Sequence, residues 1–136
     1  GQVVALNGMA NIRLKAYENR PASAQLLAEA KAYIRQALEM ALSGKTLLHI
    51  SSVLLTGIGV IHRSGLVVQA IQALTALQLV LDGSEAGEEK SLAEEVEEEF
   101  SRLSTGLPPA VLQAAQQMGR QYSSIEAVAR LILENL

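Results

Sequence analysis

The sequence predicts an all-α fold, a right-handed solenoid of about seven helices arranged as stacked helical hairpins. Three observations carry this. Hydrophobic residues make up 49% of the chain, yet only Tyr17, Tyr33, Phe100 and Tyr122 are aromatic. The apolar mass is therefore Ala, Leu, Ile and Val, which favours close helix packing. Apolar positions recur at intervals of three and four, and no segment sustains the period-two alternation of a strand. Finally, two nearly all-apolar segments, Ile50–Ile61 and Leu66–Leu81, flank one polar break, His62-Arg63-Ser64-Gly65. A helix apolar on most sides must be covered on most sides, so these two form the middle of the molecule.

The elements follow in order. Gln2–Tyr17 reads as a first helix, with Val3, Leu6, Ala10, Leu14 and Tyr17 on one stripe. Gly8 lies within it, a loss of propensity that close packing would explain. Pro21 breaks the segment after Glu18-Asn19-Arg20, since the residue before a proline disfavours the helical region. Ala22–Leu42 is the second helix, with Leu27, Ala30, Ile34, Ala37, Leu38 and Ala41 as its stripe. On its other faces Glu29 lies near Tyr33 and Glu39 near Arg35, and Gly44 reads as a left-handed cap. Thr46–His62 is the third helix. Gly57 and Gly59 inside it cost about 1 kcal/mol each relative to Ala and mark the close approach of a neighbour.

Gly65 turns the chain into the fourth helix, Leu66–Leu81, which Asp82-Gly83-Ser84 stops. Glu88–Leu103 is the fifth, with Ser91 as an alternative start because Ser91-Leu92-Ala93-Glu94 has the form of a capping box. Its stripe is thin: Leu92, Val96, Phe100 and Leu103. Leu107-Pro108-Pro109 opens a sixth helix running to about Gly119, proline being tolerated in a first turn. Ser123-Ser124-Ile125-Glu126 is a second capping box. It starts a last helix to Leu136, with Ile125, Val128, Ala129, Ile132 and Leu136 facing inward.

A chain of 136 residues is one domain with room for a real core. Residues 1–84 hold two hairpins, and residues 85–136 an acidic helix and capping helices of the same domain. The net charge of −3 makes no broad case for nucleic acid. Residues 1–84 carry seven Lys/Arg and four Asp/Glu, residues 85–136 four and ten. The acid is concentrated in Glu85, Glu88, Glu89, Glu94, Glu95, Glu97, Glu98 and Glu99. Such a run is a solvated helix face first and a docking surface for a basic partner second. Without cysteine there is no disulfide framework and no thiolate metal site, which suits a reducing cytoplasm. The longest apolar stretch falls short of the roughly 20 residues of a membrane span, and no signal peptide is legible. A start inside a helix, behind Gly1 alone, is what a piece of a longer protein would show.

The chain repeats itself. Ala30-x3-Ile34-x2-Ala37 matches Ala70-x3-Leu74-x2-Leu77, each following an apolar first arm. A single hairpin cannot bury both its faces, and stacked hairpins can. This spacing resembles the tetratricopeptide repeat. It lacks the large early aromatic, and a longer loop around Asn19–Ser23 stretches the first period past the family's usual length of about 34. Gly59–Leu77 resembles the last repeats of large bacterial signalling proteins that place such an array after a STAND-type ATPase. Their outputs are LuxR-type or SARP-type transcription regulation or adenylate cyclase activity. Leu107-Pro108-Pro109, then Gly119-Arg120-x2-Ser123-x2-Glu126-Ala127-Val128, is similar to their closing segment. There the Gly-Arg leads into a Ser-capped final helix, and the stretch before Gly119 is often longer than here. The resemblance covers most of residues 45–136 and the first 44 more loosely. It implies a tetratricopeptide-like solenoid with a C-terminal capping segment, in a cytoplasmic bacterial regulator whose enzymatic or DNA-binding parts lie elsewhere.

Candidate chemistry is sparse. His49 and His62, on one predicted helix, would sit about 140° apart around its axis and cannot share an ion. Gly57-x-Gly59 with Gly65 lacks the Gly-Lys-Ser/Thr ending of a phosphate loop. Ser51, Ser52 and Thr56 have no legible base to activate them. Glu94 and Glu98 lack the Glu-x-x-His element of a carboxylate-bridged metal site. Arg63, Arg120 and Arg130 are too scattered for a nucleic-acid footprint. The sequence therefore assigns no catalytic residue, no metal ligand and no cofactor. It points to a non-catalytic protein–protein interaction and regulatory domain. Its concave face, lined by first-arm helices, would offer Asn7, Asn11, Lys15 and Ser51 to a peptide, a neighbouring domain or a second copy. Two alternatives stay open. One is a small-ligand sensor with an Ala/Gly-lined groove between the third and fourth helices. The other is an oligomerisation module whose N-terminal apolar face self-associates.

Overall fold

The structure of the chain, a computed structural model, describes residues 2–20, 23–44, 50–82, 88–122 and 124–136. These residues form seven helices: α1 (Gln2–Asn19), α2 (Ala24–Gly44), α3 (Ile50–Arg63), α4 (Val67–Asp82), α5 (Glu88–Ser104), α6 (Pro109–Gly119) and α7 (Ile125–Glu134). The fold is all-α.

The helices begin and end where backbone chemistry directs. Gly65, at φ +90°, closes α3. The Leu66 N–H donates to Ile61 O at 3.2 Å and the Gly65 N–H to His62 O at 3.0 Å. This paired pattern satisfies carbonyls the helix end would otherwise orphan, and it needs a left-handed residue that glycine adopts without strain. Pro109 opens α6 in its first turn. Ser124 caps α7, its hydroxyl accepting from the Ala127 N–H at 3.1 Å. The predicted box at Ser123 is thus displaced by one residue, because Ser124 has the extended backbone a cap requires; Ser123 lies outside the described residues. Helix α5 starts at Glu88, so Ser91 lies inside it and not at its start. Helix α2 continues through Gly44, so the predicted left-handed cap is part of the helix. The predicted residues 46–49 of the third helix, with His49, and the stop at Gly83-Ser84 lie outside the described residues.

Helix α3 is the axis of the packing. It lies against α1, α2, α4, α5 and α7, and Ile50, Val53, Leu54 and Thr56 to Ile61 are all buried. Its partner α4 buries Ala70 to Leu77 without interruption. The matched stripes are both core: Ala30, Ile34 and Ala37 in α2, and Ala70, Leu74 and Leu77 in α4, each 0% exposed. After α5 the chain folds back. Helix α6 packs on α4, and α7 packs against α2, α3 and α4. The Arg35 guanidinium donates to the backbone oxygen of Leu136 at 3.1 Å, tying α2 to the residues after α7 rather than to Glu39.

Three glycines behave differently. A Cβ at Gly57 would lie 2.9 Å from Ile132 Cγ2 of α7 and 3.2 Å from Ile34 Cγ2 of α2. At Gly119 it would lie 2.5 Å from the Gln72 carbonyl oxygen of α4, so α6 sits on α4 through its missing side chain. Gly8 is the exception to the expectation of close packing: nothing comes within 4 Å of its Cβ position. It faces outward on α1.

Denaturant unfolding should separate the three. Gly8→Ala should gain roughly 0.5–1 kcal/mol from helix propensity alone. Gly57→Ala and Gly119→Ala should lose about 1–3 kcal/mol to overpacking, the latter more because backbone cannot rotate away. The same assay places inside against outside. Leu74→Ala should cost roughly 2–5 kcal/mol, and the exposed Glu97→Ala no more than about 0.5.

Candidate functional site

On the side of α3 away from α7 lies an open groove of about 480 Å³. Its walls come from three helices: Asn11, Leu14, Lys15 and Glu18 of α1, Ser52, Leu55, Thr56, Gly59 and Arg63 of α3, and Glu95, Glu98, Glu99 and Arg102 of α5. On each helix these positions recur at three and four, so each contributes one stripe. Gly59 forms part of the floor. A Cβ there would touch Leu14 at 3.3 Å, so its absence lets α1 close on α3.

Helices α1 and α3 run side by side in a fixed register. Asn7 Nδ2 donates to Ser52 Oγ at 3.3 Å, Thr56 Oγ1 lies 3.5 Å from Asn11 Oδ1, and Arg63 pairs with Glu18; each pair is separated by 45 residues. A constant offset along three successive turns requires parallel axes. Thr56 also bonds back to Ser52 O at 3.1 Å, which fixes its rotamer. The Asn7 Oδ1 atom is buried without a hydrogen-bond partner among the described residues.

A chain of alternating charges closes one end. Arg63 pairs with Glu18 of α1 and, at 4.0 Å, with Glu99 of α5; Glu99 in turn accepts from Arg102 at 3.1 Å. The Arg63 and Glu99 side chains are only 15% and 13% exposed, so this network works in a poorer dielectric than a surface pair. Arg63 Nη1 also donates to His62 Nδ1 at 2.8 Å, which requires that nitrogen to be unprotonated. Burial, then the adjacent Arg63, lower the His62 pKa; Glu99 opposes and Arg102 adds to the effect. With these four charges matched, Lys15, Glu95 and Glu98 are left without ion-pair partners among the described residues, the acids facing Lys15 from the opposite side.

Asn11 and Lys15, singled out from sequence, both line the groove. Asn7 is held beside it by Ser52. Ser51 is half-buried and does not line it; its neighbour Ser52 does, because successive helical residues point about 100° apart. The groove expected between the third and fourth helices is filled: Gly57 is met by Ile132 and Ile34, and Ala70, Ala73 and Ala76 are 0% exposed. The three basic residues weighed in the sequence lie in different settings. Arg120 is exposed, and Arg130 pairs with Glu126 within α7, while Arg63 sits in the groove. Among the described residues no three His, Cys, Asp or Glu side chains gather as metal ligands, and none of the helices is long and apolar enough to cross a membrane. Compared with family models, curated proteins and solved structures, the chain matches none.

Arg63→Ala should cost about 1–2 kcal/mol, since it removes the cation that joins Glu18 to Glu99 and leaves Glu99 with Arg102 alone, whereas Arg130→Ala should stay within about 0.5. Both are read from chemical unfolding, and the Arg63 loss should change little between low and high salt. The His62 shift fixes a pH dependence. With a folded pKa below the ordinary 6.5, the unfolded chain binds the proton more readily. The stability from His62 is complete above about pH 6.5 and falls as pH drops towards the lowered value. His62→Gln should flatten that part of a stability–pH profile.

Proposed function

We propose that this domain is a non-catalytic protein-interaction and regulatory module whose binding face is the groove between α1, α3 and α5. The observation that supports it most is the parallel alignment of first-arm helices. The α1–α3 offset is 45 residues. Arg63 then links the end of α3 to Glu99 of α5, the next first arm in this reading. Parallel first arms and intervening second arms are the arrangement of a tetratricopeptide-like solenoid, whose inner face is made of first arms. In this reading the array runs through α5, and α6 and α7 are the capping segment.

The groove's chemistry suits an extended peptide. Its volume lies within the range of ligand sites, but its lining is polar and charged, so an apolar effector has little to bury there. The three charges without partners define a preference: basic side chains along Glu95 and Glu98, and a carbonyl or carboxylate towards Lys15 and Asn11. The wider setting, a cytoplasmic bacterial regulator acting in transcription or signal transduction, rests on the resemblance of Gly59–Leu77 and of residues 107–128.

Fluorescence anisotropy with two labelled hexapeptides, alternating Lys-Ala and alternating Glu-Ala, tests the groove. The lysine peptide should bind more tightly, and the double change Glu95→Gln with Glu98→Gln should weaken it about tenfold or more, two charge contacts being lost. Equal binding of both peptides, or binding untouched by the double change, would count against the groove as the interface.

A further inference from the structure

The groove is nearly neutral, and its charges are sorted. Lys15, Arg63 and Arg102 stand against Glu18, Glu95, Glu98 and Glu99 along its walls, three cations against four anions, for a net charge of −1. Arg63, Arg102, Glu18 and Glu99 satisfy one another at one end. What remains is ordered by wall. Exposed Lys15 stands on α1, and exposed Glu95 and Glu98 stand together on α5, with no ion pair spanning the gap among the described residues. Leu14, Leu55 and Gly59 also line the groove and carry no charge.

This sorting restricts what fits. A ligand carrying positive charge alone satisfies the two glutamates but brings a like charge towards Lys15, which costs affinity. A ligand carrying negative charge alone meets the reverse. The groove therefore matches both signs at once, an anion placed between two cations. An extended chain lying along it supplies that order, because its successive side chains point to opposite sides. Residues i and i+2 recur about 6–7 Å apart on one side of such a chain. Glu95 and Glu98, three residues apart on a helix, have Cβ atoms about 5–6 Å apart, so two alternate side chains reach both. The residue between them points to the other wall, where Lys15 stands.

We propose that the groove's occupant is an extended protein segment of alternating charge, basic–acidic–basic, with its basic side chains on Glu95 and Glu98 and the acidic one between them on Lys15. This rests on the reading of the groove as the peptide-binding face and adds the charge order. Affinity then follows the order of charges along the partner and not its net positive charge. Lys15 reads that order, since it pairs with an acidic side chain at the middle position and repels a basic one.

The test uses the full chain and labelled hexapeptides blocked at both ends: alternating Lys-Glu, alternating Lys-Ala, and the block Lys-Lys-Lys-Glu-Glu-Glu. The first and the last share one composition and carry no net charge, while Lys-Ala is purely cationic. In fluorescence anisotropy Lys-Glu should bind about threefold more tightly than Lys-Ala, the worth of one exposed ion pair, and should exceed the block by a similar margin. In Lys15→Met the ratio of Lys-Glu to Lys-Ala affinity should fall to about one or below. Lys15 is exposed, so the fold should survive that change, which thermal unfolding checks. Tighter binding of Lys-Ala, equal binding of the alternating and block peptides, or a Lys-Glu advantage that persists in Lys15→Met would overturn the charge order. If Lys-Ala still binds through Glu95 and Glu98 in that case, the groove stands as the interface and only the order fails. Binding by none of the peptides would overturn both.

Discussion

Everything in the fold leans on the contact at Gly57. Two isoleucines from distant parts of the chain, Ile34 of α2 and Ile132 of α7, converge on a position with no side chain. Close-packed interiors tolerate little extra volume, so this one absent methyl sets how near α2 and α7 come to α3. The cost in helix propensity is modest. The return is that α3 is walled on one side by apolar carbon throughout, which leaves its opposite side to face α1 and α5 with polar residues. Gly57 and Gly59 thus serve three neighbours from one helical turn, α2 and α7 at the first and α1 at the second.

That division explains the electrostatics. Arg63 ends α3, where a cation suits the helix dipole. It is held between Glu18 and Glu99, so helices far apart in sequence are joined by matched charges at one end of the groove. His62, beside it, is pushed towards the neutral form by burial and by Arg63 itself. A second lock, at 2.6 Å between Arg13 and Glu29, with Arg13 over the Tyr33 ring, fixes α1 against α2 away from the groove. Ion pairs here set orientation, and carbon sets stability.

Much of this was legible in the residues. Ala, Leu and Ile at three-and-four spacing gave the helices, and the all-apolar stretches about His62-Arg63 placed α3 and α4 at the centre, because burial is written directly into side-chain type. The boundaries slipped by a residue or two where caps compete, as at Ser123 and Ser124. Asn11 and Lys15 were recognisable as polar positions off the apolar stripe of α1. Arg63 and Glu99 were not recognisable as a pair, since their meeting depends on the angle between α3 and α5, which no local spacing encodes. The glutamate run looked uniform, yet Glu94 and Glu97 are exposed while Glu99 is 13% exposed against an arginine; one-residue steps around a helix decide such differences. Gly8 and Gly57 were indistinguishable as letters. What separates them is the presence of a neighbour, which only tertiary structure supplies.

The return of α7 to the middle of the molecule has a kinetic consequence. Synthesis proceeds from the N-terminus, and domains begin to organise as they emerge. Helices α1 to α4 are made first, and their contacts are mostly between neighbours in sequence, which form fast. Ile132 comes far later, and the bond from Arg35 to Leu136 spans 101 residues. Until α7 leaves the ribosome, the Gly57 face of α3 is covered by Ile34 of α2 alone, an apolar slot awaiting its second wall. Closing it is the slow, long-range step, and the nascent chain is most vulnerable to wrong partners just before it happens.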